Sequence, residues 1–295
     1  MTDDDWLARR FETHRDHLRA VAYRMLGSLA EADDAVQEAW LRLSRTDTTD
    51  VANLAGWLTT VVSRVCLDML RSRTSRREEP LGDHLPDPIV EPDRDTDPEQ
   101  HALLADSVGI ALLVVLQTLG PAERLAFVLH DMFGVPFEEI ASIIDRTPAA
   151  ARQLASRARR RVRGTTVPAE ADRTRQRQVV DAYFAAASSG DFEALVAVLD
   201  PDVVLRADSG GPALATIRGA ANVANGAIMY RRAGGDSRFT IRRVLVNGSV
   251  GMVSFQDGEP RSVVGCTVVG DRIVELDILS DVERLRRLDL SALDT

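Results

Sequence analysis

The sequence predicts a multidomain protein, with two all-α helical modules followed by an α+β domain. Apolar residues recur at helical spacing through much of 9–164, whereas the period changes towards two beyond Leu199. An acidic, proline-rich stretch at 78–106 separates the helical modules, and paired turn residues divide the later strands. The 295 residues suffice for several domains, which we place at 1–77, 107–164 and 173–290.

The formal net charge of −9 hides a basic module. Residues 78–106 hold ten acidic residues and one arginine, whereas 107–164 hold eight arginines and five acidic residues. The acidity of the chain is therefore about that of its linker, and the composition is compatible with a nucleic-acid partner for the second helical module.

The sequence also predicts a cytoplasmic protein without a cofactor or a metal ion. No apolar run is long enough to span a bilayer, and the first residues, MTDDDWLARR, are not those of a signal peptide. Cys66 and Cys266 stand alone and far apart, which argues against a metal cluster and against a disulfide framework.

The first module begins with an amphipathic helix over 9–26 and continues with a second helix over Leu29–Leu43. The core candidates of the first helix are Phe11, Leu18, Val21, Ala22 and Met25. One face of the second helix holds four residues at spacings of three and four, namely Asp34, Gln37, Glu38 and Leu41. This face is either simply solvated or a docking surface for a basic helical partner.

A third helix, Gly56–Arg73, combines apolar surface with a row of polar and arginine side chains. That row holds Thr60, Ser63, Arg64, Asp68 and Arg71. Such side chains suit a nucleic-acid backbone, and a loop just before the helix suits an unstacked base. The alternative is an ordinary helical hairpin without a ligand.

The linker at 78–106 is expected to be extended and not to pack a core, because it is rich in acids and prolines. One apolar segment, Leu85–Val90, interrupts it. We expect the last domain to cover this segment, with the loops Asp208–Pro212 and Gly258–Arg261 as the candidate docking sites.

Residues 121–164 predict a helix-turn-helix. Phe137–Ile144 has one apolar face, Asp145-Arg146 leaves room only for a tight turn, and the last helix begins with Thr147 as N-cap and Pro148 at its first position. Three alanines open that helix, and six arginines follow them: Arg152, Arg157, Arg159, Arg160, Arg161 and Arg163. This order suits a helix that enters a major groove while its tail contacts phosphates, and the alternative is a solvated basic helix end.

The last domain combines helices with an antiparallel meander. The predicted helices cover Arg173–Ser188, Phe192–Leu199 and Gly219–Gly234, and the predicted strands begin at Val203 and cover 238–246, 249–256, 261–269 and 272–279. Asn247-Gly248, Asp257-Gly258 and Gly270-Asp271 are strong hairpin turns between the strands. The pattern predicts a curved sheet packed over helices.

The order of these pieces resembles the extracytoplasmic-function group of bacterial sigma factors, group IV of the sigma-70 family. The resemblance rests on three stretches within 9–164, which are AYRMLGSLAEADDAVQEAWLRL, AGWLTTVVSRVCLDMLRSR and the helix-turn-helix. It implies sigma region 2 at 1–77, sigma region 4 at 107–164, and two partners, core RNA polymerase and promoter DNA.

The resemblance also implies roles for single residues. The residues that match the docking site for the clamp helices of the largest polymerase subunit are Asp34, Gln37 and Glu38. Those in the helix that opens and holds the −10 element are Trp57, Thr60, Ser63, Arg64 and Arg71. Those assigned to recognition of the −35 element are Thr147, Arg152, Gln153, Ser156, Arg157 and Arg160.

The stretch SGDFEALVAVLDPDVVLRADSGGP resembles the SnoaL-like members of the ketosteroid-isomerase and polyketide-cyclase superfamily, an NTF2-like cone fold. Sigma factors that end in such a domain form the sigma-J-like subgroup. Its linker motif appears as His84–Pro88, its glycine-rich loop as Asp208–Pro212, and its C-terminal segment as Ser280–Glu283. We assign regulatory contacts between the linker and the domain to Leu85, Pro86, Ile89, Asp208, Gly210 and Gly211.

Fold relatives of this domain catalyse reactions with an aspartate, alone or with a tyrosine, inside the cone. The candidates are Asp208, Tyr183, Tyr230 and Asp277. A fold alone does not establish a reaction, and we expect ligand sensing or intramolecular regulation rather than catalysis. An unidentified small ligand in this domain remains open.

The sequence thus predicts a sigma factor, a monomer when free, whose C-terminal domain modulates its activity. One alternative is a cyclase- or isomerase-like enzyme tethered to DNA by the helical modules. Another is a helix-turn-helix repressor, which leaves the helices at 29–43 and 56–73 without a role.

Overall fold

The computed structural model describes residues 3–46, 53–76, 84–93, 109–164, 172–233 and 239–293. The chain clusters into two compact units, one from Met1–Gly82 and Leu113–Thr166 and the other from Asp83–Leu112 and Val167–Thr295. Both predicted helical modules therefore share the first unit, and the apolar segment of the linker belongs to the same unit as the last domain.

The first unit is helical. In chain order the helices are α1 (Asp3–Leu26), α2 (Leu29–Leu43), α3 (Leu54–Arg76), α4 (Ile110–Gln117), α5 (Pro121–Phe127), α6 (Phe137–Ile144) and α7 (Pro148–Gly164). The first residues of α4 cluster with the second unit. After α5 the chain continues as one π-helical turn, Val128–Met132.

The core of α1–α3 agrees with the prediction from helical spacing. Phe11, Leu18, Val21, Ala22 and Met25 are all buried, so the predicted apolar face of α1 is confirmed. The end of α2 contributes a tilted aromatic pair, in which the rings of Phe11 and Trp40 lie 5.2 Å apart. This packing leaves the opposite face of α2 free for other contacts.

A buried arginine links α5 to α1 within the first unit. Arg124 is 1% exposed, and its Nη1 donates to the carbonyl of Met25 in the last turn of α1 (2.9 Å). Burial, followed by the nearby charge of Arg73, lowers the pKa of Arg124 to about 9, so the guanidinium stays charged at neutral pH. A cation suits the negative end of a helix, and it ties the second helical module to the first.

The described part of the second unit contains a mixed sheet with three helices packed on one face and one short helix on the other. Its strands are β1 (Val90–Pro92), β2 (Leu199–Asp208), β3 (Ala215–Arg218), β4 (Phe239–Val246), β5 (Ser249–Gln256), β6 (Glu259–Val269) and β7 (Arg272–Leu279). Its helices are α8 (Arg173–Ser189), α9 (Phe192–Val198), α10 (Ala220–Ala233) and α11 (Val282–Leu285). The strand order across the described sheet is β1-β4-β5-β6-β7-β2-β3, with β2 and β7 parallel and the other pairs antiparallel. The predicted α+β class is confirmed, while the short strand β3 was not predicted.

The two faces of this sheet have separate cores, because alternate residues of a strand point to opposite faces. The face that packs against α8, α9 and α10, here called the helix face, includes Val250, Met252, Val264 and Cys266. The other face, here called the linker face, includes Val244, Val246, Val253, Val263 and Leu279, and is covered in part by α11 and the C-terminal segment around Leu293.

Residues 84–93 of the linker pack against the last domain, as expected for Leu85–Val90, so the general expectation of a linker that packs no core is wrong for this segment. Leu85, Pro86 and Pro88 are buried, and Val90–Pro92 forms β1 on the edge of β4. The physical reason is that a free sheet edge satisfies the backbone of a short extended segment, while the linker face accepts its apolar side chains. The rest of the predicted linker, 78–83 and 94–106, lies outside the described residues.

Candidate functional site: helical surfaces and a linker dock

The face of α2 that was predicted to bind a partner is open to solvent. Asp34 and Gln37 are exposed, and Glu38 is half-buried and accepts a hydrogen bond from Arg42 Nε (2.9 Å). Leu41, on the same face, leaves 37% of its surface exposed. The opposite side of the helix is buried through Ala32, Ala35, Val36, Ala39 and Leu43. This face therefore offers a partner both hydrogen-bond acceptors and an apolar side chain.

Four of the five predicted −10 residues share one face of α3. Trp57 and Thr60 are half-buried, and Arg64 and Arg71 are exposed. Arg64 Nη2 donates to the carbonyl of Ser142 in α6 (3.1 Å), so a DNA phosphate would compete with this contact.

Ser63 departs from the prediction. Its side chain is fully buried, and its hydroxyl has no hydrogen-bond partner within the described residues. One residue advances a helix by about 100°, which turns Ser63 from the face of Arg64 towards the core. We therefore remove Ser63 from the candidate −10 surface.

The start of α7 agrees with the predicted cap. Pro148 is the first helical residue, and the amide of Ala150 donates to Thr147 Oγ1 (3.2 Å), which confirms Thr147 as N-cap. The cap engages the hydroxyl that had also been assigned to DNA contact. Thr147 therefore has a structural role whether or not it touches a phosphate.

The exposed side of α7 contains the predicted −35 residues that follow the cap, namely Arg152, Gln153, Ser156, Arg157 and Arg160. The buried side holds Ala151, Ala155 and Ala158. Arg152 lies 5.6 Å from the ring centre of Phe137 and donates to Glu138 Oε1 (3.0 Å), so α6 orients its guanidinium.

Other arginines of α7 pair with acids of the same module. Glu123 accepts from Arg157 Nε (2.9 Å) and from Arg161 Nη1 (3.1 Å), and Asp131 accepts from Arg159 Nε (2.5 Å). Arg157 therefore reaches DNA only by sharing or leaving Glu123. Sequence spacing did not reveal these pairs, because their partners lie 28 to 38 residues away.

The linker dock is centred on Asp208, at the end of β2 on the linker face. This side chain is 2% exposed, and its carboxylate accepts from the amide of Leu85 (2.9 Å) and the amide of Gly210 (3.1 Å). His84 Nδ1 lies 3.3 Å from both carboxylate oxygens. The structure thus brings together Leu85, Asp208 and Gly210 from the predicted regulatory set.

Gly210 fits this site for two geometric reasons. Its φ of +79° is favoured by glycine, and a Cβ built on it would lie 2.7 Å from Asp281 Oδ2. Gly211, in contrast, has open space where a side chain would be, so the structure gives no reason for glycine there.

Arg284 completes the dock, and sequence reasoning missed it. Its Nη1 donates to Asp208 Oδ2 (2.6 Å), and its Nη2 donates to the carbonyl of Leu85 (2.7 Å) and to Asp87 Oδ1 (2.6 Å). One guanidinium from α11 therefore binds the domain and the linker together. The C-terminal segment Ser280–Glu283, one of the stretches that carry the resemblance, ends one residue before it.

Asn247 holds the next part of the linker. The amide of Ile89 donates to Asn247 Oδ1 (3.1 Å), and the amide of Asn247 donates to the carbonyl of Ile89 (2.8 Å). Asn247 has φ of +51°, as expected for the predicted Asn-Gly hairpin turn. The Asn-Gly turn could be predicted from the sequence, but the hydrogen bond between the Asn247 side chain and the linker could not.

Protonation of Asp208 is linked to the dock. Although burial opposes it, hydrogen bonds from the amides of Gly210 and Leu85, the charge of Arg284 and the contact with His84 lower the pKa of Asp208. A carboxyl with a lowered pKa adds stability above its unfolded pKa of about 3.9, and this stability is lost as the pH falls through the folded value. The dock is therefore complete at neutral pH and weakens only in acid.

The four candidate catalytic residues do not meet inside the cone. Asp208 and Asp277 belong to the linker face, Tyr183 is buried on the helix face, and Tyr230 is 46% exposed on α10. Asp277 accepts a hydrogen bond from Arg206 Nε (2.7 Å). Burial alone would lower the pKa of Arg206, but its pairing with Asp277 and Glu275 raises this pKa. Asp277 thus forms a buried ion pair rather than an acid–base pair with a tyrosine.

A groove of about 360 Å³ opens between α9, the start of β2 and the start of α10. Its described lining includes Leu199, Asn222 and Arg272, and Arg272 donates to the carbonyl of Leu199 (3.1 Å). A small ligand in this domain remains a prediction.

In the described part of the chain, no helix has the length and apolar character needed to cross a membrane. Within the same residues, no group of three or more His, Cys, Asp or Glu side chains is arranged to hold a metal ion.

Comparison with known proteins agrees with the architecture. Three family models match the chain, described as Sigma-70 region 2 over residues 10–76, Sigma-70, region 4 over 110–162, and SnoaL-like domain over 180–275. The chain is 41% identical over 273 residues to the ECF RNA polymerase sigma factor SigJ of Mycobacterium tuberculosis, covering 91% of this chain and 86% of that protein. It is 40% identical over 212 residues to the probable ECF RNA polymerase sigma factor SigI of the same species, covering 71% and 72% of the two chains.

A solved structure extends the similarity to the whole fold. The crystal structure of SigJ from Mycobacterium tuberculosis superposes with a TM-score of 0.72 at 35% identity, covering 96% of this chain and 99% of that one. The similarity thus includes the helical unit and the C-terminal domain.

Proposed function

The chain belongs to the extracytoplasmic-function RNA polymerase sigma factors, and from this premise we propose that it directs core polymerase to promoters while its SnoaL-like domain modulates that activity by holding the linker. The observation that carries the proposal is the match of both sigma regions and the C-terminal domain, in order, to one relative along 91% of the chain. The proposed partners are core polymerase and promoter DNA, which act in the cytoplasm.

The exposed face of α2 supports docking to the clamp helices of the largest polymerase subunit. Asp34 and Gln37 are exposed and can accept hydrogen bonds from basic side chains, and Leu41 adds an apolar contact at the end of the same face. Electrostatic complementarity of this kind governs the choice of partner and the association rate more than it governs affinity.

The exposed faces of α3 and α7 support the two DNA contacts. Arg64 and Arg71 offer cations to the strand at the −10 element, and Arg152 and Gln153 are exposed near the start of α7. An N-terminal position on a recognition helix reaches base edges, whereas later arginines reach phosphates.

We expect alanine at Arg152 and Gln153 to relax −35 specificity. Each good bidentate base contact that is lost should cost about 1–3 kcal/mol and flatten the preference at one or two positions. Transcription from a panel of single-base −35 variants measures this preference. Alanine at Arg160 is the matched control, since loss of a phosphate contact should weaken all sequences evenly and lower the salt dependence. An unchanged −35 preference in the double variant would remove Arg152 and Gln153 from base recognition.

The linker dock supports a regulatory rather than an enzymatic C-terminal domain. Asp208, one of the candidate general bases, is occupied by two backbone amides and Arg284, and Asp277 is occupied by Arg206. Carboxylates that are bound by such donors stabilise the fold and do not act as bases towards a substrate. We therefore propose that the domain binds the linker and turns over no substrate.

A further inference from the structure

Arg152, the first arginine of α7, is held by two neighbouring side chains of α6. Its Nη2 donates to Glu138 Oε1 (3.0 Å), and its guanidinium lies 5.6 Å from the ring centre of Phe137. Glu138 is 14 residues away in the chain, so the turn between α6 and α7, and not helical spacing, brings the pair together. We call Phe137 and Glu138 the α6 support.

The α6 support is itself fixed in place. The ring of Phe137 stacks on His130 with the centroids 3.9 Å apart and the planes 26° from parallel, and His130 Nδ1 donates to the carbonyl of Val135 (3.1 Å). Glu138 lies in the first turn of α6, where the positive end of the helix favours a carboxylate. The guanidinium of Arg152 therefore meets a ring and a carboxylate whose own positions are defined.

Stability does not account for the ion pair. The side chains of Arg152 and Glu138 are 58% and 64% exposed, and exposed pairs add little to the stability of a fold. Glu123 differs, because its side chain is 16% exposed and joins Arg157 and Arg161 of α7 to α5. The pair with Glu138 therefore acts on the direction of the Arg152 side chain more than on the fold of the module.

The pair is compatible with a base contact by Arg152. A guanidinium has five N–H donors, so one hydrogen bond to Glu138 leaves enough of them for a two-point contact with O6 and N7 of guanine. A side chain that is already restricted also loses less conformational entropy when it forms that contact.

A phosphate contact by the same guanidinium is disfavoured. If Arg152 leaves Glu138 for a phosphate, an unpaired carboxylate stays close to the negative backbone of DNA. A group that penalises the wrong contact raises specificity even though it lowers the total affinity.

We propose that Glu138 is a positioning residue, which holds Arg152 for a guanine of the −35 element and keeps it from phosphates. This inference rests on the proposed function, in which Arg152 touches a base edge. It adds a determinant of promoter choice on α6 that contacts no base itself, with Phe137 as the second side of the support.

The test is transcription by core polymerase with the full chain on a panel of promoters that carries every single-base change of the −35 element. Arg152→Ala identifies the position that Arg152 reads, where we expect the wild-type protein to prefer guanine. Glu138→Ala should lower the ratio between guanine and the other bases at that position by about two- to fivefold, the range of one exposed ion pair. Transcription from promoters with the wrong base there should rise, because a negative charge beside DNA has been removed.

Glu139→Ala is the matched control, because this neighbouring glutamate is also exposed on α6 and its removal changes the charge equally. It should affect all promoters alike and keep the wild-type guanine ratio. Glu138→Gln keeps a hydrogen-bond acceptor of the same reach, and it should recover part of the ratio that Glu138→Ala loses.

An unchanged guanine ratio in Glu138→Ala would overturn the inference when Arg152→Ala abolishes the preference. An equal fall in Glu138→Ala and Glu139→Ala, or no recovery in Glu138→Gln, would also overturn it, since either result would assign the effect to charge alone. A −35 preference that survives Arg152→Ala would remove Arg152 from base recognition and the inference with it. Failure of the wild-type protein to initiate at any promoter of the panel would contradict the proposed function itself.

Discussion

Replacing Asp34 and Glu38 together by arginine is expected to abolish association with core RNA polymerase while the protein stays folded. The two side chains stand one helical turn apart on the open face of α2, and the buried residues of that helix lie on its other side. If this face meets basic clamp helices, the reversal places like charges in contact and costs several kcal/mol, or about a hundredfold or more in affinity. Co-purification and a titration with labelled core enzyme measure the loss.

The matched control is Glu12→Arg with Asp16→Arg. This pair has the same spacing and the same change of charge, and both residues are exposed on α1. It should bind core polymerase nearly as the wild-type protein does. Undiminished binding by a folded Asp34→Arg, Glu38→Arg variant would exclude this face as the docking surface.

The second large effect is expected from undocking the linker. Leu85→Asp combined with Ile89→Asp puts two carboxylates into the docked linker segment, one of them beside Asp208, where Leu85 is now 2% exposed. Burying an unpaired charge costs several kcal/mol, so the linker should leave the domain. Truncation after Gly164 removes the dock altogether. We expect both variants to change promoter-dependent transcription several-fold in the same direction, an increase if the docked linker inhibits.

Phe192→Asp with Met229→Asp is the control for this second prediction. These residues are exposed apolar side chains on α9 and α10, away from the linker face, and the chemical change is the same. Transcription by this control should match the full chain. If the undocked and truncated variants also match it, the dock has no regulatory role. If the protein in addition shows a turnover that Asp208→Asn removes, the enzyme alternative replaces our proposal.

Helical and strand periodicity predicted most of the fold. The apolar spacing of α1 located its core, the cap and proline at Thr147-Pro148 located α7, and Asn247-Gly248 located a hairpin. These features are local, since each depends on residues a few positions apart. The contact between Leu85 and Asp208 was also anticipated, because an apolar segment in an acidic linker needs cover.

The parts that sequence reasoning missed depend on pairs distant in the chain. The acids of the linker predicted a solvated segment, but Asp87 pairs with Arg284 and Asp93 with Arg177, 197 and 84 residues away. Composition gives the number of acidic residues, but it does not show which arginine each of them pairs with. The three residues of β1 are too few for a strand period, and Ser63 lies at the border between the polar and buried faces of α3, where spacing alone does not decide.

The most direct test of the central claim is reconstitution of the full chain with core RNA polymerase on promoter libraries, with the 5′ ends of the transcripts read by sequencing. Our account predicts initiation from promoters that share a −10 and a −35 element, abolished by Asp34→Arg with Glu38→Arg and altered several-fold by Leu85→Asp with Ile89→Asp. Folded protein that binds core polymerase and DNA but yields no promoter-specific transcript, with or without the linker dock, would contradict it.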